Sequence, residues 1–388
     1  MKVILIISIL FIIVFIIVGI LIVKRNIYIW LWDYLFGTWR KKVPNTQKTK
    51  HIMFCYVDHF EPHLGKVDDE IAQRRMETWL SEYPVLAKKY TDADGYFLKH
   101  TWFYPYDELS EIELEQLNQL CKEGLGEVEF HLHHKNDTSD SLKAKLKAGL
   151  KVFNKYGIAI TEDDQITYGF IHGNWALDNS IKIKGNNFCG VNNEISLLKE
   201  TGCYADFTFP AYLEQSQPKF VNNIFYAIDD PHKPKSYNKG IQSKVGIDSD
   251  MYDLMLVQGP LMLNWKRRKL GFFPNIEDGN IHKGNVFHKS KIDLWIKANI
   301  HVHGKKDWIF VKVFTHGASE KNYEQVLGHD AESLFDYLTQ RYNDGENYIL
   351  HFVTAREMYN IIRAAENNEK GDPNQYRDYL IKRYKNTI

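Results

Sequence analysis

Residues 126–137 read GEVEFHLHHKND and place three histidines in an alternating apolar and polar pattern. One face of the predicted strand is apolar, and the other carries Glu129, His131 and His133. Strand side chains alternate with a period of two, so His131 and His133 point the same way. Two imidazoles side by side at a strand end can chelate a divalent metal. His134 would face the opposite way if the strand continued, and it ranks below His133 as a ligand.

Composition limits the classes of protein to consider. The chain has 388 residues, of which 44% are hydrophobic and 25% charged, as in ordinary globular proteins. Its 49 basic and 49 acidic side chains cancel, which does not favour a nucleic-acid surface, and we expect no nucleic-acid partner. The cysteines are scattered without a CxxC pair, which favours buried thiols over a disulfide framework; they are Cys55, Cys121, Cys189 and Cys203.

The amino-terminal stretch is strongly apolar. From Val3 to Val23 the only small or polar interruptions are Ser8 and Gly19. This length suits a helix that crosses a bilayer, so we predict a transmembrane anchor over residues 1–25 and a single-pass membrane localisation. Lys24 and the basic residues that follow favour a cytoplasmic body.

Residues 26–50 form a predicted juxtamembrane segment and linker. The part at 27–39 reads IYIWLWDYLFGTW and is rich in aromatic residues. It is either an aromatic anchor lying along a membrane interface or the first helix of the folded body, packed on its core. The part at 43–50 is polar and typical of a linker.

Beyond residue 50, short apolar runs alternate with amphipathic stretches, which indicates parallel βαβ units in a barrel-like α/β domain over residues 51–368. Residues 218–302 break the alternation and are predicted to be a long insertion over the rim. Residues 369–388 are predicted to be a polar tail. The predicted strands are Ile52–Val57, Gly95–Trp102, Val128–His133, Ile166–His172, Tyr204–Phe209, Trp308–Thr315 and Tyr348–Val353.

Polar residues recur where the predicted strands end, which is where parallel α/β folds concentrate functional residues. The first strand ends in Asp58 and His59, and the fourth runs into HGNW at residues 172–175. Asp206 lies among apolar residues of the fifth strand, and His316 follows the sixth. Each cluster alone also fits a structural role, such as an Asp that caps a turn. Their joint occurrence indicates a site.

The order DH, HxHH, HGNW, DFTFP and HGA resembles the NodB-homology polysaccharide deacetylases over about Ile52 to Arg363. The resemblance implies a distorted (β/α)7-type barrel and a divalent metal used to remove acetyl groups from sugars. It makes Asp58 the catalytic base, puts His59 in the place of a metal-binding aspartate and makes His316 the general acid. His131 matches the family's first metal histidine, and His133 substitutes for the second, because the usual position holds Lys135. The family's Arg-Pro motif is absent near residue 172.

A coherent chemistry follows from these residues. His59, His131 and His133 would hold a metal with an open position for water, and an all-histidine shell favours zinc over magnesium or calcium. Asp206 would orient a histidine or a basic group. The substrate-binding residues would be His172, Asn174 and Trp175. The leading hypothesis is a metal-dependent hydrolase that removes N- or O-acetyl groups from a polysaccharide or lipid-linked sugar at the membrane.

Two other functions stay open. A metal-dependent glycoside hydrolase would need a pair of carboxylates, for which Glu61, Glu127 and Glu129 are candidates. A catalytically inactive barrel that binds glycan or an assembly partner at the membrane is the non-enzymatic alternative.

Overall fold

The computed structural model describes residues 2–37, 49–183 and 185–387. The predicted linker falls largely on residues 43–48, outside the described residues. The helices are α1 Lys2–Lys24, α2 Leu31–Phe36, α3 Asp69–Ala87, α4 Glu111–Lys122, α5 Ser139–Lys155, α6 Glu194–Glu200, α7 Lys289–Ala298, α8 Tyr323–Val326, α9 His329–Tyr342 and α10 Ala355–Glu366. The strands are β1 Lys50–His59, β2 His100–Pro105, β3 Gly126–Leu132, β4 Tyr168–His172, β5 Lys182–Ile183, β6 Asn186–Asn187, β7 Cys203–Asp206, β8 Ile224–Tyr226, β9 Ile241–Gln242, β10 Met255–Val257, β11 Leu261–Lys269, β12 Phe273–Asp278, β13 Trp308–Thr315 and β14 Tyr348–Val353.

Ten strands form one large sheet in the order β13-β1-β2-β3-β4-β7-β10-β8-β9, with β14 also paired to β1. The seven strands that the sequence predicts all lie in it, and the ladders that join them to one another are parallel. The register sets Asp58 beside Thr315, Pro105 beside His131 and Leu132 beside His172. The carboxyl-terminal ends of these strands, with their polar residues, therefore lie side by side at one end of the sheet, as predicted.

The two faces of the sheet have separate cores. On β1, Ile52 and Phe54 join the cluster that also includes the buried faces of α3, α4, α5 and α9. Met53 and Cys55 alternate with them and join a second cluster that includes α10 and the strands of the insertion. This alternation continues to the strand end, so Asp58 and His59 also face opposite sides.

Helix starts are fixed by side-chain caps at several junctions. Asp68 accepts a hydrogen bond from the backbone N–H of Ile71 at the start of α3. Thr138 and Thr354 each form a capping box, at the starts of α5 and α10 respectively. Such caps satisfy backbone groups that the helix itself leaves without partners, and so they define where each strand-to-helix loop ends.

The ladders between the described strands form one large, largely parallel sheet rather than the predicted closed ring of a (β/α)7-type barrel. Of the described strands, β13 and β9 are the two ends of the hydrogen-bonded path, and no ladder joins them. The physical cause is the long insertion, which supplies β8, β9 and β10 as additional strands beyond β7. It also contains the β11–β12 hairpin and α7, which the sequence did not predict.

The prediction of an amino-terminal membrane span is contradicted. Among the residues whose side chains the structure describes, no helix has the length and apolar character that crossing a bilayer requires. The single-pass membrane localisation depended on that span and is corrected with it.

Two terminal segments pack on the folded body. Trp30 and Tyr34 are buried in the second core cluster, as the packed-helix alternative for the aromatic segment predicts, while Trp32 is exposed. Near the carboxyl end, Tyr384 is fully buried and its hydroxyl donates to Glu129. Residues 369–387 therefore pack on the folded body, in contrast to the predicted polar tail.

Candidate metal centre

A cavity of about 560 Å³ opens where β1, β3 and β4 end. Part of its wall comes from the insertion, through Asn280, His282 and Lys283. The rest of the lining is His59, Glu61, Leu64, His133, Asn174, Trp175, His316, Lys321 and Asn322.

Glu61 lies at the centre of the histidines. Its Oε1 is 3.1 Å from Nε2 of His131 and 3.2 Å from Nε2 of His133. Burial raises the pKa of Glu61, but hydrogen bonds from the two histidines outweigh it and hold the pKa well below the usual range. The carboxylate is therefore charged although it is buried.

The hydrogen bonds of His131 define what can lie beside Glu61. Nδ1 of His131 is 2.8 Å from the carbonyl oxygen of Ile171, so Nδ1 carries a proton and donates it. A hydrogen bond from Nε2 to Glu61 therefore requires the doubly protonated ring, whereas in the neutral ring Nε2 presents a lone pair to the carboxylate. Two facing acceptors repel each other unless a proton or a metal cation lies between them. A backbone carbonyl on the far nitrogen is also the usual way in which a metal-binding histidine is oriented.

His59 completes a group of three donors. One ligand atom from each of His59, Glu61 and His131 lies within 4.8 Å of the others. Burial lowers the pKa of His59 well below the usual value, with the neighbouring His316 and His131 adding to the effect. A neutral imidazole is the form that binds metals. Two histidines and one carboxylate are a donor set of three-ligand catalytic zinc sites, so the residues fit a divalent metal.

This geometry corrects the predicted ligand set of His59, His131 and His133. Glu61 takes the third place, and His133 contacts Glu61 with one nitrogen and Asp107 with the other, at 3.1 Å between Nδ1 and Oδ2. Burial lowers the pKa of His133, but hydrogen bonds to Asp107 and Glu61 outweigh it and raise the pKa to about 10. His133 and Asp107 therefore form a charged pair at the edge of the cavity.

His316 lies in the cavity as predicted. Its ring stacks on that of His59 with 4.6 Å between centroids and 18° between planes. Burial lowers the pKa of His316 below the usual value, which favours the neutral ring at pH 7. A neutral ring can accept a proton, whereas the general-acid role expected from the resemblance needs a cationic one.

Asp58 does not reach the cavity. It is fully buried, and its Oδ1 accepts from the backbone N–H of Gly317 at 2.7 Å. Its Oδ2 is 3.0 Å from Nε2 of His100. A Cβ at position 317 would lie 2.3 Å from Oδ2 of Asp58, so the glycine allows this close contact. Asp58 thus holds the turn that presents His316, in place of the predicted role as catalytic base.

Asp206 also lies away from the cavity. Its Oδ2 accepts from the hydroxyl of Thr208 at 2.7 Å, and Oγ1 of Thr208 accepts from the backbone N–H of His172. Burial raises the pKa of Asp206 to about 7. The aspartate therefore ties the end of β7 to the end of β4 and contacts no histidine ring of the cavity.

The HGNW motif divides between two places. Asn174 and Trp175 line the cavity, both with positive φ, and the Trp175 ring lies 5.6 Å from those of His59 and His316. The side chain of His172 is fully buried outside the cavity, beside Glu194. Of the three predicted substrate-binding residues, the structure brings two to the pocket.

Three residues of the site were not assigned their places by the sequence: Glu61 as a metal ligand, Asp107 as the partner of His133, and His282 in the cavity wall. Glu61 follows His59 by two residues, so the same alternation that pairs His131 with His133 could have found it. Asp107 follows the end of β2, another strand end. The contribution of His282 from the insertion had no comparable signal, because no predicted strand precedes it.

Two further groups have metal-ligand composition. His134, His172, Cys189 and Glu194 form one and are all buried; His51, His351 and Asp372 form the other. In the second of these, Nδ1 of His51 already contacts Nε2 of His351 at 2.9 Å, and Nδ1 of His351 contacts Asp94. The structure therefore shows several residue groups able to hold a metal ion.

Fold and site together define an α/β protein with a histidine-rich pocket at the end of a largely parallel sheet. No family model matches the chain, and no curated protein matches it in sequence. Among solved structures, it is similar to an alpha-mannosidase from Enterococcus faecalis V583, with 10% identity and a TM-score of 0.39. The match covers 84% of this chain but 30% of the mannosidase chain.

Proposed function

We propose that the protein is a metal-dependent hydrolase that removes acetyl groups from a saccharide. The observation that carries this proposal is the Glu61 carboxylate, which faces Nε2 of His131 at the floor of an open cavity, with His59 beside it. A divalent metal bound there would supply Lewis acidity, lowering the pKa of water and polarising a carbonyl group.

The protein's own side chains provide for proton transfer. His133 is held by Asp107 on one nitrogen, and its other nitrogen lies in the cavity, 3.2 Å from Glu61, where its proton can pass to a leaving group. His316 is neutral by the direction of its pKa and can accept one. Two groups whose pKa values are pushed apart are typical of an acid and base pair. In this assignment the general acid is His133, whereas the resemblance made His316 the general acid.

The composition of the cavity favours deacetylation over glycosidic cleavage. Glycoside hydrolysis uses two carboxyl groups on either side of the scissile bond. Among the described residues that line the cavity, Glu61 is the one carboxylate, and it is engaged by histidines. Glu127 pairs with Arg356, and Glu129 accepts from Tyr204, both in buried positions away from the cavity.

A saccharide is supported by the cavity wall. Trp175 offers a partly exposed aromatic face, and Asn174 beside it offers an amide that can both donate and accept hydrogen bonds. Lys321 and His282 add further polar groups to the lining. A flat apolar surface surrounded by hydrogen-bonding groups suits a sugar ring with its hydroxyl and acetamido substituents.

The test uses the full chain loaded with zinc and incubated with N-acetylated and O-acetylated oligosaccharides. We expect acetate release without chain shortening, and loss of both activity and one bound metal ion in His131→Ala. The exposed His329→Ala is the matched control and should retain both. Chain shortening without acetate would identify a glycoside hydrolase. Saccharide binding with no turnover and no metal would identify a binding protein and overturn the proposal.

A further inference from the structure

We propose that His134, His172, Cys189 and Glu194 form a second metal site, a closed zinc site that holds the walls of the pocket together. It is separate from the His59, Glu61 and His131 centre and does not depend on the proposed function. One ligand atom from each of the four residues lies within 4.8 Å of the others, and all four side chains are buried.

The strongest indication of a cation site is a ring nitrogen of His172. Nδ1 of this ring donates to the carbonyl of Gly173, so the neutral ring leaves a lone pair on Nε2. Nε2 is buried, has no hydrogen-bond partner, and lies 3.5 Å from Oε1 of Glu194. A buried acceptor aimed at a carboxylate is costly, and a metal ion between the two groups would remove the cost.

His134 is oriented in the way that metal ligands usually are. Its Nε2 is 3.0 Å from Oε1 of Glu194, and its Nδ1 is 3.1 Å from Oδ2 of Asp137. Asp137 is itself held by Lys145 and Ser141. A carboxylate this close to the outer nitrogen of a histidine is typical of metal centres, where such a group orients the ring and increases its basicity.

Cys189 supplies the fourth donor. Its Sγ is 3.3 Å from Oε2 of Glu194 and accepts from the backbone N–H of Val191, also at 3.3 Å. A backbone donor stabilises a thiolate, which would form when the thiol proton passes to solvent on metal binding. Sulfur and imidazole donors favour zinc, and tetrahedral Zn–N and Zn–S bonds separate such donors by roughly 3.3–3.8 Å. The cluster is compact enough for that geometry.

The position of the cluster gives it a structural role. Its ligands come from the loop after β3, the end of β4, the segment before α6 and the first residue of α6. His134 is next to His133 in the chain, and His172 is three residues before Trp175. A metal that joins these segments would fix two walls of the open cavity. Four protein ligands leave no position for water, which distinguishes a structural from a catalytic zinc site.

The test measures metal content and the spectrum of the Co²⁺-substituted full chain. We expect about two metal ions per chain, one for each site, and a thiolate-to-Co²⁺ charge-transfer band in the near ultraviolet. Cys189→Ser should lose that band and one metal ion while retaining the ion that depends on His131. The matched control is Cys203→Ser, which removes another buried thiol whose Sγ contacts the carbonyl of Ala205.

The outcomes separate the two sites. A charge-transfer band that persists in Cys189→Ser, or its absence from the cobalt-loaded natural sequence, would overturn the second site whether or not the variant folds well. Loss of metal in His131→Ala with the band retained would support both sites. If His131→Ala retains all of its metal, the site of His59, Glu61 and His131 is contradicted. The site that contains Cys189 would still be supported by the thiolate-to-Co²⁺ band.

Discussion

His133 and His134 are adjacent in the chain but belong to different clusters. His133 lines an open cavity and shares Glu61 with His131, whereas His134 is buried and shares Glu194 with His172. Both clusters combine imidazoles with one central carboxylate. They differ in what surrounds them, because the first meets a cavity and the second is closed by protein. Under the two proposals, similar donors would serve catalysis in the first cluster and structural support in the second.

The largest expected difference comes from replacing the central carboxylate in each cluster. Glu61→Gln should lower acetate release by about 1,000-fold, roughly 4 kcal/mol of transition-state stabilisation, with little change in melting temperature. Glu194→Gln should lower the melting temperature, because it also weakens the acceptor for the buried N–H of Asp178. Steady-state kinetics measures the rate of acetate release by both variants, and thermal unfolding measures their melting temperatures. Equal effects of the two variants on both quantities would contradict the division of roles.

A smaller effect should follow from Asp107, which orients only the open cluster. Asp107→Asn removes the charge beside His133 and should lower kcat by about 100-fold with KM nearly unchanged, since the histidine loses the group that maintains its protonated form. The basic limb of the pH–rate profile should move to lower pH in the same variant, because the pKa of His133 falls when the charge of Asp107 is removed. The exposed Asp250→Asn serves as control. A rise in KM with unchanged kcat would instead assign Asp107 to substrate binding.

The smallest effect concerns a buried charge that belongs to neither cluster. Lys312 is fully buried, and its Nζ donates to the carbonyls of Phe207 and Phe209. Burial lowers its pKa to about 7, so the folded chain binds fewer protons at this residue than the unfolded chain does. Stability should therefore rise with pH above 7, by about 2 kcal/mol between pH 7 and 9.

Chemical unfolding at several pH values checks this expectation. Lys312→Met should remove the rise of stability with pH, and the variant Lys269→Met, at an exposed position, should keep it. If the free energy of unfolding of Lys312→Met still rises with pH, the pH dependence comes from other groups, such as those of the histidine clusters, and the prediction for Lys312 is contradicted.

Local sequence patterns predicted the strands well where neighbours on both sides are apolar. The bounds of β13 and β14 are those predicted, because each is a mostly apolar run, interrupted by Lys312 in β13 and by His351 in β14. The pairing of His131 and His133 on one side of the chain is also confirmed by their shared contact with Glu61. The apolar runs were enough to predict the two strands, and period-two alternation was enough to predict the histidine pair.

What the sequence did not reveal depends on distant contacts. Asp58 was assigned to the site because it ends a strand, yet alternation turns it away from His59 and onto Gly317, far along the chain. The extent of the sheet depends on how the strands of the insertion pair beyond β7. The group around His172 likewise needs Cys189 and Glu194 from a loop and a helix, which no local period connects to β4.

The burial of the group formed by His134, His172, Cys189 and Glu194 has a consequence for the order in which metal ions would bind. Its ligands come together only when the segment that carries Cys189 has closed over β4, so metal capture there would be coupled to folding. The open cavity can fill and empty in the folded protein. One chain would then hold two ions with very different lifetimes, and brief dialysis against a chelator would leave a protein that is inactive but still folded.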